Sequence, residues 1–140
     1  MRVAAERYNK AAEQTIIRPS TINFIMTLDI LNSAEIIETM ENFMAKVRPR
    51  PEIRPQLDLG YEIDGQSIIL NEIRPSWSDP TKMMTTGYAK ATFVKNKEVW
   101  RIYWKRADNE WHLYKPFPVV DELKHFLKLV DDDVNYCFKG

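Results

Sequence analysis

Between Ala89 and Tyr114 apolar and polar residues alternate in three short runs, the pattern of strands buried on one side. Reading Asn96-Lys97 as a two-residue turn sets Phe93 opposite Trp100, Ala91 opposite Ile102 and Ala89 opposite Trp104. Reading Asp108-Asn109 as the next turn sets Trp104 against Leu113 and Arg106 against Trp111. Side chains alternate sides along a strand, so this register sorts residues by face. One face is then nearly all apolar, with Trp100, Trp104 and Trp111 as core residues. The other carries Lys90, Thr92, Arg101, Tyr103, Lys105, His112 and Tyr114 without one carboxylate. The spacing predicts an antiparallel meander with a basic-aromatic outer surface.

Upstream, Asp64-Gly65 is the strongest hairpin dipeptide in the chain. It places Leu59, Tyr61 and Ile63 on one face with Gln66, Ile68 and Leu70, and puts Glu72 on that same mostly apolar side. Pro75 closes the strand, and a long connection to Gly87 follows, containing Trp77 and Met83-Met84. Trp77 is expected to pack back on the sheet. From Ser33 to Val47 the residues Ile36, Ile37, Met40, Phe43, Met44 and Val47 form one helical stripe. Asn32 and Glu35 have capping-box spacing, with Ser33 as the other cap, and Pro49 stops the helix. A second helix is read from Val119, Val120, Leu123, Phe126, Leu127 and Val130, ending before Asp131-Asp132-Asp133, whose charges oppose the helix dipole.

Residues 2–14 have helical composition and Pro19 ends them. Residues 21–31 fit two readings, a strand by the alternation of Ile22, Phe24, Met26, Leu28 and Ile30, or the start of the following helix through Leu31. The expected architecture is α+β: an antiparallel β-meander of about five strands with an N-terminal and a C-terminal amphipathic helix on its apolar face. Residues 1–32 form an N-terminal extension and residues 33–140 one α+β domain. Glu-Ile-Arg-Pro occurs at 52–55 and again at 72–75, but the flanks do not match and no structural repeat follows.

A chain of 140 residues is one domain's worth. Twenty basic and twenty acidic side chains cancel, so any affinity for nucleic acid or a membrane must come from a local patch. The single cysteine, Cys137, excludes an internal disulfide and fits a reducing compartment. No apolar run reaches the length of a membrane span, and the first residues are too charged for a signal peptide. A bacterial-type cytoplasmic protein fits best. His112 and His125 are too scattered for a zinc site, and with four glycines the chain holds no phosphate loop, so neither metal nor cofactor is expected.

Several strings in order carry a family resemblance: Arg54–Tyr61, then Glu72–Pro75 with Trp77, Ala89-Lys90-Ala91, Trp100–Asp108, Trp111–Tyr114 and a closing Cys137-Phe138-Lys139-Gly140. Together they resemble the bacterial domain-of-unknown-function family numbered 3024, over roughly residues 33–140. The resemblance implies a compact bacterial domain and transfers no catalytic or binding residue.

Three functional readings follow from the residues. In the first, the protein is a non-enzymatic binding module for nucleic acid, with Lys90, Arg101 and Lys105 on phosphates and Tyr103, His112 and Tyr114 stacking bases. The alternative is that this face is simply the solvated or covered side of a half-buried sheet. In the second, Glu72, Arg74 and Arg106 form the site of a small enzyme beneath the 75–87 connection, against the plainer reading of an ion pair clamping the two hairpins. In the third, the protein is an interaction or self-assembly module, a homodimer in its simplest form, with residues 1–32 burying a neighbour's sheet face.

Overall fold

The computed structural model describes residues 30–139, with side chains from residue 34 onward. The proposed 2–14 helix and most of the 21–31 segment lie outside these residues. Helix α1 (Ile30–Val47) precedes strands β1 (Asp58–Asp64), β2 (Ser67–Pro75), β3 (Met83–Val94), β4 (Val99–Lys105), β5 (Trp111–Leu113) and β6 (Val119–Val120), and helix α2 (Leu123–Asp132) follows. The strands form one antiparallel sheet in the order β1-β2-β3-β4-β5, with β6 added beside β4. Both helices pack on one face of this meander, the α+β arrangement the periodicity predicts.

The β3–β4 register is the expected one, with Phe93 opposite Trp100, Ala91 opposite Ile102 and Ala89 opposite Trp104. Small alanines set against large side chains leave Ala89, Ala91 and Ile102 fully buried. At the first hairpin the turn falls on Gly65-Gln66 rather than Asp64-Gly65, so Ile63 faces Ile68 and Tyr61 faces Leu70. Gly65 takes φ +60 at the first central position, where a two-residue hairpin turn needs a left-handed residue. The pairing moves by two residues, so every side chain keeps its expected face. β3 also begins earlier than expected, at Met83, and the long connection shrinks to residues 76–82, closed by the Ser76 N–H on the Lys82 carbonyl at 2.8 Å. A bulge at Tyr88 lets Leu70 pair with Ala89 while Asn71 pairs with Gly87.

The β4–β5 register differs from expectation by one residue. Tyr103 lies opposite Leu113, Trp104 opposite His112 and Lys105 opposite Trp111. The connection is longer than two residues: the Asn109 N–H donates to the Arg106 carbonyl at 2.8 Å, and Asn109 takes φ +63. A turn followed by a left-handed residue adds one position to the loop, and a slip of one inverts every side chain of the strand. Trp111 and Leu113 therefore join the outer face, and His112 and Tyr114 leave it. Trp111 is not a core residue. Tyr114 is buried against Phe138, ring centroids 4.8 Å apart.

Helix α1 is already under way at Ile30, so Asn32 and Ser33 lie within it rather than capping it. Its predicted stripe packs on the core. Val119 and Val120 are strand rather than helix, pairing with Arg101 and Trp100. The β-branched pair after Pro118 extends the sheet edge, and α2 starts at Leu123. That helix runs through Asp131 and Asp132 instead of stopping before them. Lys46 reaches Asp131 at 3.1 Å and Lys128 reaches Asp132 at 3.0 Å, which offsets their charge at the helix end. Asp133 caps the helix at φ +43 and is buried, its carboxylate accepting the Phe138 and Lys139 N–H groups at 3.0 and 2.9 Å. This latch returns the C-terminal residues to the core.

A bidentate pair ties α1 to β1: Arg48 Nε and Nη2 donate to the two Asp58 oxygens, each at 2.8 Å. The guanidinium holds the Asp58 carboxyl below its ordinary range, against the opposing effect of burial. A depressed folded-state pKa contributes stability above the unfolded value that is lost as pH falls through the folded one. Asp58→Asn is therefore expected to cost about 1–3 kcal/mol at neutral pH. The gap from the parent should close as the pH is taken below the carboxylate range, where the parent's Asp58 is also neutral. Urea denaturation of both proteins at neutral and strongly acidic pH checks this.

Candidate functional site

Two strands and a short third build the outer patch. Alternation along β3 turns Lys90 and Thr92 outward, and along β4 Arg101, Tyr103 and Lys105. The observed β5 register adds Trp111 and Leu113, and β6 adds Val119 beside Arg101. Trp111 lies between two ammonium groups, Lys90 Nζ 4.9 Å and Lys105 Nζ 5.1 Å from its ring, and Lys90 is also 4.9 Å from the Tyr103 ring. Gly87 makes this packing possible. A Cβ there would stand 2.9 Å from Ile69 Cγ2 and 3.0 Å from the Trp111 ring, too close for either to stay in place. The indole thus reaches β3 where that strand has no side chain.

Charge is segregated on this face. The acids Glu62 and Asp64 stand on β1, beyond β2, where Ile69 pairs with Lys90. Burial pulls the Lys90 ammonium below its ordinary pKa, Asp64 opposes this, and Lys105 adds to it. Among the described residues, every lysine and arginine outside 90–115 has a carboxylate within 4.0 Å, Arg54 excepted. Within 90–115 none does. The chain is neutral as a whole, yet three of these cations without a carboxylate within 4.0 Å, Lys90, Arg101 and Lys105, share the outer face of β3 and β4.

The other predicted residues are not brought together there. His112 faces Trp104, and its Nε2 lies 2.7 Å from Asp108 Oδ2. With Glu110 these two place three ligand-type atoms within 4.8 Å of one another at the β4–β5 turn, a cluster that the scattered histidines did not foretell. Asp108 already serves the turn by accepting the Glu110 N–H at 2.9 Å, and that bond and the His112 contact hold its carboxyl below the ordinary range. Glu72 pairs with Arg74 at 3.0 Å on its own strand. No ion pair joins Glu72 to Arg106, whose guanidinium instead lies 5.8 Å from the Trp104 ring. The interhairpin clamp is thus absent between these two residues. Trp77 does not pack on the sheet: it is 94% exposed at the β2–β3 tip.

Sequence reasoning missed Trp111, Leu113 and Gly87. The available signal was Asn109, a residue type that tolerates the left-handed conformation and so fits the end of a three-residue loop as well as the middle of a two-residue one.

A meander with helices on one face and a basic-aromatic patch on the other defines an α+β domain whose exposed sheet surface is its most differentiated feature. Residues 28–140 match the family model described as a domain of unknown function, DUF3024, and the chain belongs to that family. Comparison with curated proteins and with solved structures returns no match. No described helix is long and apolar enough to cross a membrane.

Proposed function

We propose that the protein is a binding module that takes single-stranded nucleic acid on the outer face of β3, β4 and β5. The observation that carries this reading is the convergence of Lys90, Arg101 and Lys105, none with a carboxylate within 4.0 Å among the described residues, beside Tyr103 and Trp111. Cations tracking phosphates and rings offering stacking surface are what a sheet-based single-strand binder combines. Two ammonium groups near one indole repel each other, and a phosphate between them relieves that repulsion. Both are already positioned against rings, so binding orders less of each chain. His112 and Tyr114 take no part, because the β5 register turns them to the other side.

Trp111→Ala tests the face without altering net charge. Stacking is worth about 1–3 kcal/mol per base, so affinity for a labelled single-stranded oligonucleotide, read by anisotropy, should fall about fivefold or more while circular dichroism stays unchanged. Equal affinity of parent and variant would remove Trp111 from the reading.

A further inference from the structure

Among the described residues outside 90–115, Arg54 is the one cation with no carboxylate within 4.0 Å, although its charge helps hold the Asp58 carboxyl low. It lines a cavity of about 410 Å³ between the C-terminal end of α1, the 49–57 turn and β1. We infer that this cavity is a second binding site, for a small monocarboxylate with an apolar body, recognised by the Arg54 guanidinium. The site is independent of the nucleic-acid reading and uses none of its residues. One string of the family resemblance, Arg54–Tyr61, supplies much of its wall.

The other charges in the wall are already engaged. Arg48 is held bidentately by Asp58, which also accepts the Leu59 N–H at 2.8 Å. Glu41 accepts the Tyr61 hydroxyl at 2.8 Å. Arg54 donates through Nε to the Pro49 carbonyl at 2.8 Å, which fixes the side chain. Its terminal nitrogens make no hydrogen bond or ion pair to a described residue. A guanidinium fixed through Nε presents its Nη pair as a fork that matches a carboxylate in two parallel hydrogen bonds. Met44, Leu59 and Ile73 supply apolar wall for the rest of the ligand. The carboxylates of Glu41 and Asp58 in the same wall repel a dianion about twice as strongly as a monoanion, which favours a monocarboxylate over a phosphate dianion. The volume lies within the range of small-molecule sites, about 300–1,000 Å³.

The test is a titration of the isotopically labelled full chain with hexanoate, followed by amide and Arg54 Nε–H resonances. Hexanoate should shift Leu59, Gly60 and the Arg54 Nε–H together, and neutral hexanamide should bind at least about tenfold more weakly. Arg54→Gln should weaken hexanoate by about tenfold and leave oligonucleotide affinity unchanged. Ala45→Trp places an indole at the cavity's exposed helical wall and should block hexanoate with Arg54 intact, which keeps the test valid if Arg54→Gln fails to fold. Equal binding of hexanoate and hexanamide, tighter binding of inorganic phosphate, or no shift at these resonances would each overturn the inference.

Discussion

Phe126→Ala is expected to remove about 3–5 kcal/mol of folding stability, a large part of what a domain of this size has. Phe126 is fully buried, and with Leu123, Leu127 and Val130 it forms the stripe that fixes α2 to the sheet. Removing the ring leaves a cavity between α2 and the sheet that rigid strands cannot collapse to fill. The loss should also free the C-terminal latch, because Asp133 caps the same helix and holds Phe138 against Tyr114. Urea denaturation should show a lower midpoint with little change in slope. Phe117→Ala is the matched control: Phe117 is 54% exposed, so its loss should stay within about 0.5 kcal/mol. A cost near that of the control at Phe126 would contradict the packing of α2 described above.

Reversing Arg101 and Lys105 together to glutamate is expected to lower oligonucleotide affinity by roughly two orders of magnitude or more at low salt. Each unit of charge moved at contact distance from a phosphate is worth about 1 kcal/mol in water, and the double reversal removes two attractions and installs two repulsions. Folding should survive, because Arg101 is exposed, Lys105 is half-exposed and neither has an ion-pair partner to lose among the described residues. Lys124→Glu with Lys128→Glu makes the same change in net charge on α2, on the far side of the sheet. That control should alter affinity by less than about threefold. If the two double variants lose affinity equally, net charge rather than this face governs binding.

What the sequence conveyed well was face alternation wherever turn length preserved parity. The Asp64-Gly65 reading was displaced by one position, yet the pairing moved by two and Tyr61 still met Leu70 in the core. The Asn109 loop moved the pairing by one, and with that single residue the candidate site exchanged His112 and Tyr114 for Trp111 and Leu113. Loop conformation depends on which residue takes a left-handed φ, and Asp108 and Asn109 both tolerate it, so composition alone does not decide parity. The α1 stripe was legible because six apolar positions repeat at one period. Val119-Val120 was misread because a two-residue strand has no period to detect. Gly87 was opaque for another reason: its role is to leave space for an indole from a strand distant in sequence, and the pairing that brings them together is tertiary.

The most direct measurement is the anisotropy of a labelled single-stranded oligonucleotide titrated with the protein across a series of salt concentrations. Lys90, Arg101 and Lys105 on three phosphates predict a slope of log affinity against log salt near −2, from about −0.7 per phosphate neutralised on a single strand. A flat slope, or no binding at low salt, would contradict the assignment of this face to nucleic acid.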